Sequence, residues 1–282
     1  MEFVKMHGCG NDYLFVDCLH VKAPGDPQAL SRRMSDRHFG AGADGLVLVL
    51  PADNTAAQVR MRMFNADGSE AQMCGNAVRC LAKLVYERGW IVRERMAVET
   101  LAGLIGLELF LREGKVRTVR ADMGAPRFAA REIPARLDLE QVVEYPLEAG
   151  GREFKITCVS MGNPHSVIFL EEEVERFAVR DFGPLIENHP LFPERTNVEF
   201  INVRGPNLLR QRTWERGSGE TLACGTGASA AAAAAILTGR CRPGKVDIDL
   251  NGGRLAIEWS QGENVMMTGP AEEVYTGCWP HD

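Results

Sequence analysis

A chain of 282 residues, 45% hydrophobic and 25% charged with a formal charge of −6, has the composition of a folded globular protein of one large or two ordinary domains. The acidic balance excludes a general affinity for nucleic acid or anionic lipid. The opening MEFVKMHGCGNDYLFVD lacks the basic-then-apolar order of an export signal, no apolar run is long enough to span a bilayer, and eight cysteines in a chain this long read as reduced thiols, so a cytoplasmic protein with no nucleic-acid or membrane partner is expected.

Strand signals dominate along the chain. DPQALSRRMSDRHFG (26–40) predicts a helix, with Asp26 as N-cap, Pro27 in the first turn and Gly40 as the stop. GLVLVL (45–50) and the alternating QVRMRMFN (58–65) predict strands. GNAVRCLAKLVYERG (75–89) places Ala77, Val78, Leu81, Leu84 and Val85 at helical spacing and ends at Gly89. GLIGLELFL (103–111) and KVRTVRADM (115–123) read as strands, and the stretch 124–151, rich in Pro, Gly and charge, reads as a crossover between two halves. NVEFINV (197–203), KVDIDL (245–250) and RLAIEW (254–259) are further strands, and GTGASAAAAAAILTG (225–239) is a third helix. No C-x-x-C pair or Cys/His cluster has metal-ligand spacing, so no metal is expected.

Two landmarks recur in the same order. GSEAQMCGNAVRCLA and SGETLACGTGASAAA both contain Glu-x-x-x-Cys-Gly and both run into a helix; Glu70 and Glu220, like Cys74 and Cys224, lie 150 residues apart. HGCGNDYLFVD (7–17) and VSMGNPHSVIFLE (159–171) both carry Gly-Asn before an apolar strand, with Asn11 and Asn163 separated by 152. A duplicated domain accounts for both offsets.

The duplication pairs Cys74 with Cys224, each at the start of a helix. Such an end has unpaired N–H groups and a partial positive charge, which lower a thiol's pKa and can hold a carboxylate. Two of them facing each other suit inversion at a carbon α to a carboxylate: one thiolate removes the α-proton and the opposite thiol returns one to the other face. This chemistry needs no metal and no pyridoxal group. Glu70 and Glu220 serve the loop or helix start electrostatically, and Cys9, Cys18, Cys80, Cys158, Cys241 and Cys278 are structural in this reading.

MCGNAVRC (73–80) and GSGETLACGTGASA (217–230) resemble the two signature segments of the diaminopimelate epimerases, as do HGCGNDYLFVD, FNADGSEAQMCGN, MGNPHSV (161–167) and TNVEF (196–200). The resemblance spans nearly the whole chain. It implies an α/β fold of two pseudo-symmetric domains, each a curved, mostly antiparallel sheet around a central helix, with the active site in the cleft between them. Residues 1–125 with strands from about 263–282 would form one domain and 126–262 the other. It implies a cofactor-independent isomerase that interconverts L,L- and meso-diaminopimelate in lysine and peptidoglycan-precursor synthesis, acting as a homodimer. Carried over by motif, Cys74 and Cys224 are the acid/base pair, with His165 supporting Cys74 and Glu215 near Cys224. The N–H groups of Gly75, Asn76, Gly225 and Thr226 would hold the reacting carboxylate. Asn11 would line the site, and Asn65, Asn163, Asn197 and Arg216 would grip the distal amino-acid end, with Glu215 also near the substrate. Gly45 follows Asp44 where some family members carry a glutamine used at the site, so that contact is missing or made otherwise. Proline racemases share paired cysteines and are the nearest alternative, but Asn76 and the Glu-Arg-Gly-Ser-Gly-Glu-Thr run point away from them. A thiol redox or metal-sensing protein lacks support in the cysteine spacing.

Overall fold

The computed structural model describes residues 1–280. The chain divides into two compact units, Met1–Asp122 with the segment from Thr268 onward, and Met123–Met267. In the first, β1 (Glu2–Gly8) and β2 (Asn11–Asp17) form an antiparallel pair, and after α1 (Pro27–Ser35) β3 (Gly45–Leu50) lies parallel to β2. β4 (Val59–Asn65) runs antiparallel to β3, doubles back as the short β5 (Glu70–Ala71) and leads into α2 (Gly75–Glu87). β6 (Arg95–Thr100) returns parallel to β4, and β7 (Gly103–Arg112) and β8 (Lys115–Asp122) follow antiparallel.

The second unit repeats this order. After β9 (Tyr145–Ala149), β10 (Arg152–Ser160) and β11 (Pro164–Phe169) pair antiparallel, α3 (Val179–Glu187) follows, and β12 (Asn197–Gly205) lies parallel to β11. β13 (Leu208–Glu215) and β14 (Gly219–Thr221) form the hairpin that enters α4 (Gly225–Leu237). β15 (Gly244–Leu250) is parallel to β13 and β16 (Gly253–Trp259) antiparallel to β15. The chain continues through β17 (Met266–Gly269) to β18 (Glu272–Cys278), which pairs antiparallel with β1.

The duplication holds residue by residue. Tyr13 pairs with Gly45 as His165 pairs with Asn197, each member displaced by 152 residues. Met63 pairs with Ala71 as Thr213 pairs with Thr221, displaced by 150. The offset changes in the β3–β4 connection, which is two residues longer than its β12–β13 counterpart.

Each unit wraps its strands around one helix. α2 is buried from Gly75 to Val85 and packs on β1, β2, β7 and β8; α4 packs on β10, β11, β12, β15 and β16. With strands on so many sides, α4 has no solvent face to give to polar residues, and Ala230–Ala235 are all fully buried. Methyl side chains let the surrounding strands approach closely while retaining the best helix propensity. Gly89 and Gly239, both at φ +72°, close the two helices just past their ends.

Two expectations are corrected. α1 stops at Ser35 and not at Gly40, because the extended Asp36 captures the His38 and Phe39 N–H groups on Oδ1 at 2.7 and 2.8 Å. Residues 124–151 are not an open crossover: Ala130, Ile133, Val142 and Leu147 enter the core of the second unit, and β9 lies within them. Cys278 is exposed, unlike the buried Cys9, Cys18, Cys80, Cys158 and Cys241. α3 is a helix that composition hides, since Gly183 and Pro184 interrupt it; a Cβ on Gly183 would lie 2.5 Å from the Trp214 ring.

Candidate active site

The short hairpins before α2 and α4 deliver each cysteine to its place. In both, the motif glutamate is held by an arginine eight residues earlier on the preceding strand. Arg62 Nε and Nη2 donate to Glu70 at 2.7 and 2.9 Å, and Arg212 Nε donates to Glu220 Oε1 at 2.7 Å with Nη2 2.6 Å away. The carboxylates are therefore neutralised by charge-assisted pairs and brace the hairpins: of the two electrostatic roles expected of them, at the loop or at the helix start, these contacts are those of the loop. Cys74 and Cys224 then occupy the N-cap positions, both with extended backbone (φ −140°, ψ 123° and φ −121°, ψ 113°). Gly75 and Gly225 open the helices, with Asn76 and Thr226 next in the first turn. That turn carries the N–H groups with no intrahelical acceptor, where an anion can be held.

Around Cys74, Tyr13 Oη donates to the sulfur at 3.5 Å, and the thiol lies 3.4 Å from Asn11 Oδ1. Asn76 Nδ2 donates to the same oxygen at 3.1 Å, while Asn11 Nδ2 donates to Asp44 Oδ2 at 2.7 Å, which sets the orientation of the Asn11 amide. Asp44 is held in turn by Arg37 Nη2 at 2.8 Å, and Arg37 also grips Asp12. Burial, then the neighbouring Cys74, pushes the Tyr13 phenol well up, so it stays a proton donor. Beneath this turn the fully buried Arg79 donates to Gly75 O at 3.0 Å and to Asn76 Oδ1 at 2.8 Å. Ser229, 150 residues on, makes the matching bond to Gly225 O at 2.9 Å. Asn65 ends β4 and donates to Ser69 Oγ at 2.9 Å. No side chain fits at Gly45: a Cβ would lie 2.2 Å from Phe64 O and 3.2 Å from the Tyr13 ring. From this region Tyr13, like Asn11, reaches the Cys74 sulfur.

Around Cys224, the sulfur accepts from Gly227 N–H at 3.4 Å and lies 3.4 Å from Thr226 Oγ1. Glu215 is hydrogen-bonded to Cys224 and accepts from Thr221 Oγ1 at 2.6 Å. Burial raises the Glu215 carboxyl above its usual range. Burial also pushes the Cys224 thiol well up, followed by the charges of Glu215 and Glu199, with Thr226 and Gly227 opposing. The expectation that a helix N-terminus lowers the pKa of this thiol is thus overturned for Cys224: desolvation outweighs the helix end, and the thiol holds its proton. Asn163 Nδ2 donates to Thr226 Oγ1 at 3.3 Å, and Asn163 Oδ1 lies 3.0 Å from His165 Nε2. The other ring nitrogen, Nδ1, is 2.8 Å from Glu199 Oε1. Asn197 donates to Pro164 O at 2.9 Å and accepts the Arg216 N–H at 2.9 Å, so both ends of its amide position backbone. The Arg216 guanidinium donates to Glu194 O at 2.8 Å.

The two helix ends thus gather Asn11, Gly75 and Asn76 about Cys74, and Asn163, Glu215, Gly225 and Thr226 about Cys224. Sequence reasoning did not single out Tyr13, Arg37, Arg79 or Glu199. The repeat held a signal for two of them, since 152 residues separate Tyr13 from His165 and Val47 from Glu199. No helix among the described residues is long and apolar enough to cross a membrane.

The family model for diaminopimelate epimerase matches residues 3–129 and 157–274. Diaminopimelate epimerase of Pelotomaculum thermopropionicum is 53% identical over 282 residues, covering 100% of this chain and 99% of the relative. That of Methanococcus maripaludis is 47% identical over 278 residues, covering 98% and 99%. Among solved structures, a probable proline racemase from Agrobacterium radiobacter with bound carbonate shares the fold at a TM-score of 0.72 and 18% identity, covering 100% of this chain and 93% of that one. With the family model across most of its length and full-length relatives near half identity, the chain belongs to the diaminopimelate epimerase family.

Proposed function

We propose that the chain epimerises diaminopimelate between its L,L and meso forms with Cys74 and Cys224 as the two bases, acting on opposite faces of one α-carbon. One sulfur, as thiolate, takes the α-proton. The electron pair moves into the carboxylate, which the N–H groups of Gly75, Asn76, Gly225 and Thr226 hold. The other thiol gives its proton to the opposite face, so the reaction ends with thiol and thiolate exchanged and no net change of redox state. For the direction in which Cys224 is the base, Glu215 receives its proton; burial makes that carboxylate more basic than a free one. His165 serves Cys74 in the same way, and Asn11, Asn65, Asn163, Asn197 and Arg216 bind the substrate. The scheme requires neither metal nor pyridoxal group.

The observation that carries this reading is the repetition itself: twice, 150 residues apart, a cysteine caps a buried helix that begins with glycine. Eight free thiols fit a reducing cytoplasm, where we place the enzyme. A homodimer is the working unit, which the resemblance supports.

The test uses the reduced protein with meso-diaminopimelate in D2O and no added pyridoxal phosphate. The L,L isomer should form with deuterium at the α-carbon, and Cys74→Ala or Cys224→Ala should each abolish it. Turnover at the wild-type rate in either variant would sink the two-base scheme.

A further inference from the structure

Arg79 is fully buried in α2, where its guanidinium donates to Gly75 O at 3.0 Å, to Pro270 O at 3.3 Å and to Asn76 Oδ1 at 2.8 Å. A buried guanidinium is costly unless something depends on it. The fold of the repeat does not: Ser229, its counterpart, makes the bond to Gly225 O with a hydroxyl. The first unit has also made room for the longer side chain. A Cβ on Gly8 would lie 2.9 Å from Arg79 Nη2 and 3.1 Å from Asn76 Cβ.

From Arg79 a line of hydrogen bonds with one possible direction runs past Cys74. A guanidinium can only donate, so Asn76 presents Oδ1 to it and Nδ2 to Asn11 Oδ1, at 3.1 Å. Asn11 Nδ2 then donates to Asp44 Oδ2 at 2.7 Å. That oxygen also receives the Asp12 N–H at 3.1 Å, another group that can only donate, and Arg37 Nη2 holds the second carboxylate oxygen at 2.8 Å. With a fixed donor at one end and a fixed acceptor at the other, neither amide can turn over without setting like against like. The Asn11 carbonyl is thereby held 3.4 Å from the Cys74 sulfur, which Tyr13 Oη meets as a donor at 3.5 Å. In the second unit neither end is charged. Thr226, Ser229 and Thr196 stand where the first unit has Asn76, Arg79 and Asp44, and Asn163 Oδ1 lies 3.0 Å from His165 Nε2.

We propose that Arg79 and Asp44 are positioning residues for Cys74: they fix the direction of the Asn76–Asn11 amide pair, so that the sulfur sits between an acceptor, the Asn11 carbonyl, and a donor, the Tyr13 hydroxyl. The thiol gives its S–H to Asn11 and the thiolate keeps the bond from Tyr13, so Cys74 gains and loses its proton with no side chain turning. The Asn11 amide carries a second Nδ2–H besides the one given to Asp44, so binding substrate needs no other orientation. A reversed pair would set an N–H against the sulfur, hold the thiolate and leave the thiol without its acceptor. The other titratable groups around this end of α2 are Cys9 from the β1–β2 turn and Cys80 from the helix itself. β1 directs Lys5 to Asp12 and His7 to the Gly10 N–H, while β7 and β8 contribute the buried Leu107, Leu109, Val116 and Val119.

This inference rests on Cys74 being one of the two bases. Its test reverses the line with Asn76→Asp and Asp44→Asn, which together move one negative charge from one end to the other. Asp44→Asn should lower the melting temperature of the wild type and raise that of Asn76→Asp, where carboxylates at both ends leave the Asn11 carbonyl facing one of them. In an Asn11→Ala background the change at 44 should act with one sign whichever residue stands at 76, because the coupling passes through the amide. In the double variant the pH midpoint for alkylation of Cys74 by iodoacetamide, followed on its peptide by mass spectrometry, should fall by about one unit, the worth of a hydrogen bond to a charged group. A carboxylate brought towards the sulfur would by its charge alone move the midpoint up. The kcat of the double variant should fall roughly tenfold, since the bond that holds the thiolate weakens it as a base. A double variant no more stable than Asn76→Asp overturns the proposal, as does coupling that persists without Asn11. A midpoint that stays or rises in the double variant, or a kcat at the wild-type value, overturns it too. A wild-type chain that does not turn over diaminopimelate sinks the epimerase reading alone, since the alkylation midpoint and melting temperatures still decide the direction of the amide pair.

Discussion

At Gly227 the side chain is missing for a reason specific to one half of the duplication. Alanine in a helix is ordinarily about 1 kcal/mol better than glycine, and Ala77 holds the equivalent position in α2. Gly227→Ala should instead destabilise, by about 1–3 kcal/mol as overpacking does, because its methyl would meet Glu199 Oε1 at 2.6 Å and Cys224 Sγ at 3.3 Å. Thermal unfolding checks the sign, and in a Glu199→Val background the same change should become neutral or stabilising. A stabilised Gly227→Ala single variant would mean that Glu199 moves aside freely. The placing of Cys74 and Cys224 at helix starts was legible from spacing, and that of Asn11, Asn163 and Glu215 near them from motifs that resemble the family's, since each has a local pattern around it. Tyr13 and Glu199 were not, because their partners lie 61 and 34 residues away in sequence and only the sheet register brings them together. The charge environment of Cys224 was equally hidden: the helix end can be read from glycines and alanines, but desolvation depends on what covers the thiol.

The hairpin–helix element is the unit that was copied. Its glutamate braces the turn against the preceding strand, more deeply in the second copy, where Arg212 and Glu220 side chains are 16% and 11% exposed against 34% and 23% for Arg62 and Glu70. Glu220→Gln should therefore cost about 1–3 kcal/mol, the range for a charge-assisted bond that loses its charge, and Glu70→Gln less. Urea unfolding at neutral pH measures both, and equal, negligible losses would remove the bracing role. α2 and α4 were readable from apolar spacing and from alanine propensity, which are local properties. α3 was not, because Gly183 and Pro184 weaken every local helix signal; the Trp214 ring packed on Gly183 supplies from β13 what propensity lacks. The end of α1 was misplaced for a related reason. Gly40 looked like the stop, yet the side chain of Asp36 satisfies the N–H groups four residues sooner.

For the molecule as a whole, the two cores keep their thiols protonated. An exposed thiol ionises near pH 9, but burial holds Cys80 and Cys158 to about 12 and Cys18 to about 11. A group whose folded pKa is raised contributes stability that is complete below its unfolded value and is lost as pH climbs through the folded one. Stability should thus decline above pH 9, and more shallowly in Cys80→Ala/Cys158→Ala than in the wild type, as read from urea midpoints at intervals from pH 8 to 10.5. Parallel declines would show that these thiols do not set the alkaline limit. The duplication, the two helices with cysteines at their heads, the family and the reaction class were all determined by the sequence alone, because repeats, propensities and motifs are written in consecutive residues. The tertiary structure decided the burial of Cys224, the bracing of Glu70 and Glu220, the steric need for Gly45 and Gly227, and the pairing of Glu199 with His165. Each of these depends on desolvation or on contacts between strands distant in sequence, and neither quantity exists until the chain is folded.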